Sequence, residues 1–266
     1  VPVLGLSAIL LTVFALKAGL VPFQFWVPAA YRAAPAPITA MLAGVVKKVG
    51  IYAIIRLYFM VFAAATVPVS FPGIGGDGFL AFFGPVLFLM AAASIFLGGF
   101  GAVTQDELDG VLAYSSISQI GFVVLPLAVA ATVPDLRPLG VAAALVYTVN
   151  HGLVKSLLFL ISGAVQSATG TTDRSLLGGL TEHDTMLSAA FFTGGLALVG
   201  IPPLTGFFGK FLVFDVAGRA GSTLGLAVAL GGAVLTIAYF TRAWNHWFWG
   251  SPSDRVLGAT RDPVLV

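Results

Sequence analysis

Seven long apolar stretches constrain the fold of this 266-residue chain more than any other feature. They cover roughly residues 2–22, 38–66, 79–103, 109–132, 138–168, 186–217 and 222–249. A helix that crosses the hydrocarbon core of a bilayer needs about 20 mostly apolar residues. The fold class is therefore predicted to be an all-α polytopic membrane protein with about seven transmembrane helices. Continuous apolar runs exclude a transmembrane β-barrel, whose strands alternate in polarity over about ten residues.

The composition narrows the classes of function. The chain is 58% hydrophobic and only 9% charged, whereas about a quarter of the residues in a soluble domain are charged. These values exclude a soluble globular protein and a nucleic-acid-binding protein. They predict a protein that is surrounded by the lipid bilayer. Because the chain has no cysteine, disulfides, thiol catalysis and cysteine-based metal sites are excluded. We see no motif for a cofactor, a metal or soluble catalysis.

The arginines in the loops predict the orientation in the membrane. One side collects Arg32, Arg174, Arg255 and Arg261, and the other collects Arg137 and Arg219. Because cytoplasmic loops carry the excess of basic residues, the first side is predicted to be cytoplasmic, in a multi-pass protein of the cell inner (plasma) membrane. The chain begins Val1-Pro2-Val3 without a methionine, and we expect it to be an internal piece of a longer protein.

All five lysines lie inside the predicted spans, at Lys17, Lys47, Lys48, Lys155 and Lys210. A lysine at the centre of a bilayer costs about 2.5–3.5 kcal/mol on insertion scales. An ionisable residue retained at that cost indicates function. Since a dry helical bundle disfavours the charged form of an amine, a row of such groups could pass protons along it.

Two adjacent lysines cannot share one face of a helix, because neighbouring residues point about 100° apart. Lys48 lies on a face with Tyr52 and Arg56, whereas Lys47 lies on a face with Ile51. The polar face favours Lys48 as the functional residue, and we assign Lys47 a structural or rim position.

A second polar stripe is predicted in the span 138–168. Tyr147, His151 and Lys155 follow at intervals of four residues and so occupy one helical face. Ser115, Ser118 and Gln119 in the preceding span are also predicted on one face. Both interhelical hydrogen bonding and a hydrated path would explain them.

Two spans are interrupted by proline and glycine. One interruption, Gly200–Gly206, contains Pro202 and Pro203 and precedes Lys210, and the other follows Lys17 and ends at Pro22. Each proline removes a backbone donor, so carbonyls are freed that must find partners or line a cavity. Paired interruptions of this kind indicate the ion path of a transporter.

Four segments carry a resemblance to a known family. They are FALKAGLVPFQFWVPAAYRAAPAPITAMLAGVVKKVGIYAIIRLY (14–58), VLAYSSISQIGF (111–122), NHGLVKSLLFLISGA (150–164) and GIPPLTGFFGKF (200–211). Together they resemble the proton-translocating antiporter family, which includes Mrp-type sodium/proton antiporters and the antiporter-like subunits of respiratory complex I. Two further stretches, GTTDRSLLGGL and WNHWFWG, are more similar to the D-type protein of Mrp antiporters.

The resemblance implies an inverted-repeat fold of fourteen helices, of which this chain would hold helices seven to thirteen. Residues 1–66 would end the first repeat with helices seven and eight. Residues 79–249 would form the second repeat with helices nine to thirteen, and residues 250–266 a C-terminal interfacial loop or tail. The family's broken helices are its seventh and twelfth, which agrees with the two interruptions.

The resemblance also implies roles for single residues. Lys17 matches the central lysine of the seventh helix, Lys48 the lysine of the eighth, and Lys210 that of the twelfth. His151 and Lys155 match the mid-membrane relay. The family pairs its seventh-helix lysine with a glutamate of the fifth helix, which we expect upstream of Val1.

Two functions follow from the resemblance. The first is a membrane subunit of a hetero-oligomeric monovalent cation/proton antiporter, which translocates protons through a central lysine/histidine relay coupled to Na⁺ exchange. Such a subunit would be a secondary transporter and not an enzyme. The alternative is a proton-pumping, non-redox subunit in the membrane arm of NADH:quinone oxidoreductase (complex I) or a related respiratory complex.

Overall fold

The computed structural model describes residues 2–64 and 78–259. Apart from one isolated bridge between Glu107 and Asp173, the regular structure in these ranges is helical. The helices are α1 (Pro2–Ala18), α2 (Trp26–Ala33), α3 (Ala36–Val61), α4 (Phe79–Val103), α5 (Leu108–Ala131), α6 (Arg137–Thr169), α7 (Leu180–His183), α8 (Thr185–Val199), α9 (Thr205–Arg219), α10 (Thr223–Phe248) and α11 (Asp254–Leu257). Helix α3 includes π-helical turns at Leu42–Val46 and Ile55–Val61, and α10 ends in one at Trp244–Phe248.

Five of these helical segments are long and apolar enough to cross a membrane. They are α3, α4, α5, the segment Pro134–Thr169 that contains α6, and α10. The predicted stretch 186–217 is divided into α8 and α9, and the stretch 2–22 holds α1, which ends at Ala18 before the break that precedes α2. The chain is therefore an all-helical membrane protein with five candidate spans and two interrupted apolar segments.

Helix α5 is the centre of the bundle, because its sequence is apolar or small on every side. Nearly all of its side chains are buried, as expected of a helix without a polar outer face. It packs most extensively against α4 and α6, and it also contacts α2, α9 and α10. A polar residue anywhere on α5 therefore faces another helix.

Helix α6 has an outer and an inner face. Val149, Leu153 and Leu160 are exposed along one side, where a bilayer would solvate them. His151 and Lys155 lie on the opposite, buried side. The same helix can thus face lipid and carry ionisable groups inward.

Both predicted interruptions are present, and each starts at a glycine in the left-handed region. Gly19 follows α1 with φ +68°, and Gly200 follows α8 with φ +91°. Residues with a Cβ rarely adopt this conformation. Pro22 lies in the first break, and Pro202 and Pro203 lie in the second.

Two sequence expectations fall where the structure gives no description. The segment 67–78, whose prolines and glycines predict a loop between two spans, lies outside the described residues except for Gly78, and so does Arg261. Arg32 and Arg174 both contact the turn between α4 and α5, so they lie at the same end of the bundle.

Candidate functional site

Four of the five lysines are buried in the helical bundle. Lys47 and Lys155 have no exposed surface, and Lys210 and Lys48 are 6% and 9% exposed. Lys17 on α1 is exposed. Within residues 2–64 and 78–259 every ion pair uses an arginine, so no carboxylate there neutralises a lysine. Buried amines without an acid partner are costly, and they define the candidate site.

Helix α6 places Lys155 against the middle of α5. Lys155 Nζ donates to Ser115 Oγ at 2.5 Å and to Leu112 O at 3.1 Å. Tyr147 and His151 share the buried side of α6 with Lys155, as their four-residue spacing predicts. The stripe predicted from the sequence therefore faces the centre of the bundle.

The imidazole of His151 lies one turn from Lys155 in a group of amines. Both of its ring nitrogens are buried, and neither has a hydrogen-bond partner among the described residues. A buried polar atom left unpaired costs about 1–3 kcal/mol. In their charged forms, Lys48, Lys155 and Lys47 would each repel a protonated His151. A Cβ built on Gly152 would lie 3.9 Å from Lys48 Cε, so Lys48 passes close to the histidine's neighbour.

The structure shows which of the two adjacent lysines on α3 is turned further inward. Lys47, assigned to a structural or rim position, is the more buried of the two adjacent lysines, and Ile51 on its face is 1% exposed. Tyr52 on the Lys48 face is 59% exposed. Lys48 Nζ donates back to Ala43 O of its own helix. Lys47 therefore does not lie at a rim, but Lys48 is also buried, so the functional role assigned to Lys48 stays a prediction.

Two glycines explain this rotation. A Cβ on Gly50 would lie 2.5 Å from Phe14 O of α1, and a Cβ on Gly44 would overlap Ser156 Oγ of α6. Only glycine permits so close an approach of the backbones. Because Gly44 and Gly50 lie on the same side as Lys47, the close packing of α1 and α6 turns Lys47 inward.

A separate hydrogen-bonded network joins α5, α6 and α10. Gln119 Nε2 donates to Thr236 Oγ1 at 3.1 Å and to Tyr239 OH at 2.7 Å, and Tyr147 OH donates to Gln119 Oε1. All four side chains are buried. Both ends of the Gln119 amide are satisfied, so the network is a rigid core feature.

The polar residues of 115–119 do not act as one face. Ser115 accepts from Lys155 on α6, Ser118 Oγ donates to Ile95 O on α4 at 3.0 Å, and Gln119 reaches α10. Residues three apart differ by about 60° around a helix, which here is enough to bring them to different neighbours.

Lys210 satisfies a carbonyl that the second break releases. In an unbroken helix Val199 O would accept from residue 203, but Pro203 has no N–H group. Lys210 Nζ donates to Val199 O at 2.9 Å instead. Thr205 Oγ1 donates to Asn150 Oδ1 at 2.6 Å, which ties the start of α9 to α6.

The first break is held by other contacts. The Val21 N–H donates to Ser94 Oγ of α4 at 2.9 Å. A Cβ on Gly19 would lie 3.3 Å from Lys47 Nζ, so this break adjoins the buried lysines. Lys17 has no hydrogen bond or ion pair with any described residue. The structure thus brings Lys48, His151 and Lys155 together and leaves Lys17 apart.

An arginine group at one end of the bundle was not predicted from the sequence. Arg174 pairs with Asp106 at 2.7 Å, and Arg32 pairs with Glu107 at 3.4 Å. Arg242 Nη2 lies 3.6 Å from Asp106, and its Nη1 donates to Gln105 O at 2.9 Å. These contacts join α2, α10 and the loop after α6 to the α4–α5 turn. The adjacent acids Asp106 and Glu107 are the only feature of the sequence that could have indicated this arginine group. In the sequence alone, they indicate acids that complement a helix dipole.

In the loop after α6, Asp173 accepts two hydrogen bonds and lies outside the membrane spans. Ser175 donates to Asp173 Oδ1 at 2.7 Å from both its backbone N–H and its hydroxyl. These donors lower the pKa of Asp173 below its ordinary value.

Comparison with known proteins gives a family match over most of the chain. A family model described as "NADH:quinone oxidoreductase/Mrp antiporter, TM" matches residues 2–236. The D-type protein of the Na(+)/H(+) antiporter from Alkalihalophilus pseudofirmus is 37% identical over 245 residues, which are 92% of this chain and 46% of that protein. The chain spans about half the length of the curated relatives it matches.

Two kinds of solved structure share the fold. A chain of the Mrp complex from Dietzia sp. DQ12-45-1b matches with a TM-score of 0.80 and 30% identity, over 91% of this chain and 42% of that one. A chain of respiratory complex I from Thermus thermophilus matches with a TM-score of 0.79 and 26% identity, over 94% of this chain and 49% of that one.

Proposed function

Because the chain belongs to the NADH:quinone oxidoreductase/Mrp antiporter transmembrane family, we propose that it moves protons across a membrane as part of a multisubunit monovalent cation/proton antiporter. One observation carries the proposal. His151 is buried with both nitrogens unpaired among the described residues, and it lies one helical turn from the buried Lys155 and beside Lys48, whose Cε would lie 3.9 Å from a Cβ on Gly152. Groups of this kind exchange protons without any covalent intermediate.

The proposed relay runs through His151, Lys155 and Lys210, with Lys48 beside the histidine. Each step transfers one proton between an ammonium or imidazolium and a neutral neighbour. Tyr147, one helical turn from His151, stacks on Phe122 with ring centroids 5.8 Å apart. Lys210 lies 5.0 Å from the Phe122 centroid, so the two parts of the relay adjoin the same aromatic pair.

The proposed relay begins and ends at lysines that lie beside the two helix breaks. We propose that Lys17, with Pro22 in its break, receives its acidic partner from outside the described residues. Pro202 and Pro203 keep the second break open beside Lys210. We also propose that the longer subunit has the fourteen-helix fold, with the division at 1–66, 79–249 and 250–266, and lies in the cell inner (plasma) membrane.

Partner subunits complete the proposed activity. The similarity to a D-type Na(+)/H(+) antiporter protein and to a chain of an Mrp complex supports assembly with other subunits. Proton movement in this chain would then be coupled to Na⁺ moving the opposite way in the complex.

The test uses the full-length gene with its neighbours, expressed in cells that lack sodium/proton antiporters. Everted vesicles are energised, and a pH-gradient dye is followed while Na⁺ is added. We expect Na⁺ to collapse the gradient in the wild type and to have no effect with Lys155→Ala. Leu153→Ala, on the exposed side of the same helix, is the matched control and should behave as the wild type.

The structure also resembles a chain of respiratory complex I, which favours the membrane arm of a respiratory complex as a second candidate. The same vesicles separate the two. If an assembled complex gives no response to Na⁺, K⁺ or Li⁺ but pumps protons when an electron donor is oxidised, the respiratory function is correct. A wild-type response with Lys155→Ala would rule out the relay in either setting.

A further inference from the structure

Lys47 and Lys155 bond to the same short segment of α5. Lys47 Nζ donates to Ser116 O at 3.3 Å, and Lys155 Nζ donates to Leu112 O at 3.1 Å. Carbonyls four residues apart lie on one side of a helix, about 6 Å apart along its axis. Two amines that come from different helices, α3 and α6, therefore meet on one face of α5, about one turn apart.

The hydroxyl of Ser116 bonds to one of these two carbonyls. Ser116 Oγ donates to Leu112 O at 2.8 Å, which is the carbonyl that also accepts from Lys155. The same residue provides the carbonyl that holds Lys47, and it is fully buried. A hydroxyl both donates and accepts, so Ser116 is a suitable intermediate between two amines.

The other side of Lys47 faces the break in α1. A Cβ on Gly19 would lie 3.1 Å from Lys47 Cε, so the lysine stem rests on the first residue of the break. The Tyr31 ring of α2 lies 5.9 Å from Lys47 Nζ, and its hydroxyl is buried without a hydrogen-bond partner among the described residues. Lys47 thus extends from the break in α1 to the bonds on α5.

We propose that Lys47 is a further proton carrier, which links the break in α1 to Lys155 across Ser116. The inference rests on the proposed function, because it extends the same relay. In each transfer an N–H bond breaks on the ammonium as its proton bonds to Ser116 Oγ, and the hydroxyl's own O–H bond breaks as that proton forms an N–H bond on the neutral amine, so no co-reactant is needed. Two like charges this close in a dry interior disfavour each other, which favours one proton shared between the pair. In this proposal Lys48 exchanges protons with His151, and Lys47 exchanges protons with Lys155.

The test compares variants of the full-length subunit in the assembled complex, in everted vesicles, at equal amounts of protein in the membrane. Lys47→Met keeps the length of the stem and removes the amine. Lys47→Arg keeps the charge but cannot release a proton. Lys155→Met is measured in parallel. Ser116→Ala removes the intermediate hydroxyl, and Ser118→Ala is its matched control, because Ser118 is equally buried but bonds to Ile95 O on α4.

We expect Lys47→Met and Lys47→Arg to lower the initial rate of Na⁺-dependent proton movement at least tenfold. Ser116→Ala should be several times slower than Ser118→Ala. A Lys47→Met rate within twofold of the wild type would overturn the inference, and so would full recovery in Lys47→Arg, which would show that only the charge matters. If Lys47→Met does not assemble, the serine pair decides, and equal rates for the two serine variants refute the link.

Loss of transport in Lys155→Met with normal transport in Lys47→Met would reject Lys47 alone and leave the proposed function in place. Normal transport in both variants would reject the proposed function itself.

Discussion

Lys210 Nζ on α9 lies 5.0 Å from the centroid of the Phe122 ring on α5. Phe122 also stacks on Tyr147 of α6, whose ring is nearly parallel at an interplanar angle of 4°. An ammonium near an aromatic ring gains about 0.5–2 kcal/mol. Three helices therefore fix the surroundings of this amine, which has no acid partner among the described residues.

Removal of this amine should stop transport. We expect Lys210→Ala to lower Na⁺-dependent proton movement in everted vesicles at least tenfold, because Val199 O loses its donor and the relay loses a carrier. Arg219→Gln at the exposed end of the same helix is the control and should retain the wild-type rate. Full activity in Lys210→Ala would contradict the proposed relay.

The left-handed glycine of the second break should not tolerate a side chain. Gly200→Ala places a Cβ in a conformation that costs about 1–3 kcal/mol, 2.9 Å from Lys210 Cδ. We expect a lower melting temperature of the purified full-length protein and slower transport. Gly218→Ala in α9, where a Cβ meets nothing within 4 Å, should leave both unchanged or raise the melting temperature slightly. Equal behaviour of the two variants would show that the break does not depend on Gly200.

The buried glutamine network should be sensitive to a single hydroxyl. Tyr147→Phe leaves Gln119 Oε1 without its donor, and an unpaired buried acceptor costs about 1–3 kcal/mol. The melting temperature should therefore fall. Tyr52→Phe, at a tyrosine that is 59% exposed, is the matched control and should have no effect. A Tyr147→Phe protein as stable as the wild type would mean that the amide finds another partner.

The arginine group at the α4–α5 turn should contribute to stability in proportion to burial. Arg242 donates to Val103 O and to Gln105 O, and its side chain is 22% exposed. Arg242→Gln should lower the free energy of unfolding by about 1–3 kcal/mol, because hydrogen bonds from charged donors to these carbonyls are lost. Arg219→Gln breaks an exposed pair with Asp215 and should cost at most about 1 kcal/mol. Unfolding in detergent, followed by circular dichroism, measures both, and a similar loss for both variants would contradict this account.

Most of the helical architecture could be predicted from local sequence. Apolar runs between 36 and 61, 79 and 103, and 108 and 131 became continuous helices within a few residues of their predicted ends. Both interruptions could be predicted too, since a proline lacks an N–H group wherever it occurs. The stripe of Tyr147, His151 and Lys155 follows from the helical repeat alone.

The contacts of the site could not be predicted in the same way. The partners of Lys155 and Lys210 are backbone carbonyls, Leu112 O and Val199 O, and a carbonyl is present at every residue, so it leaves no signal in a sequence. The network around Gln119 joins residues more than 100 positions apart, which no local pattern connects.

The sequence by itself determined a helical membrane protein with two broken apolar segments and lysines inside it, because hydropathy, proline and helical periodicity are properties of neighbouring residues. Only the tertiary structure decided that Lys47, and not Lys48, lies on the most buried face of α3. The physical reason is that both faces of this helix carry apolar side chains. The close approach of α1 at Gly50 and of α6 at Gly44 therefore sets its rotation, and an approach between distant segments is not encoded in either segment alone.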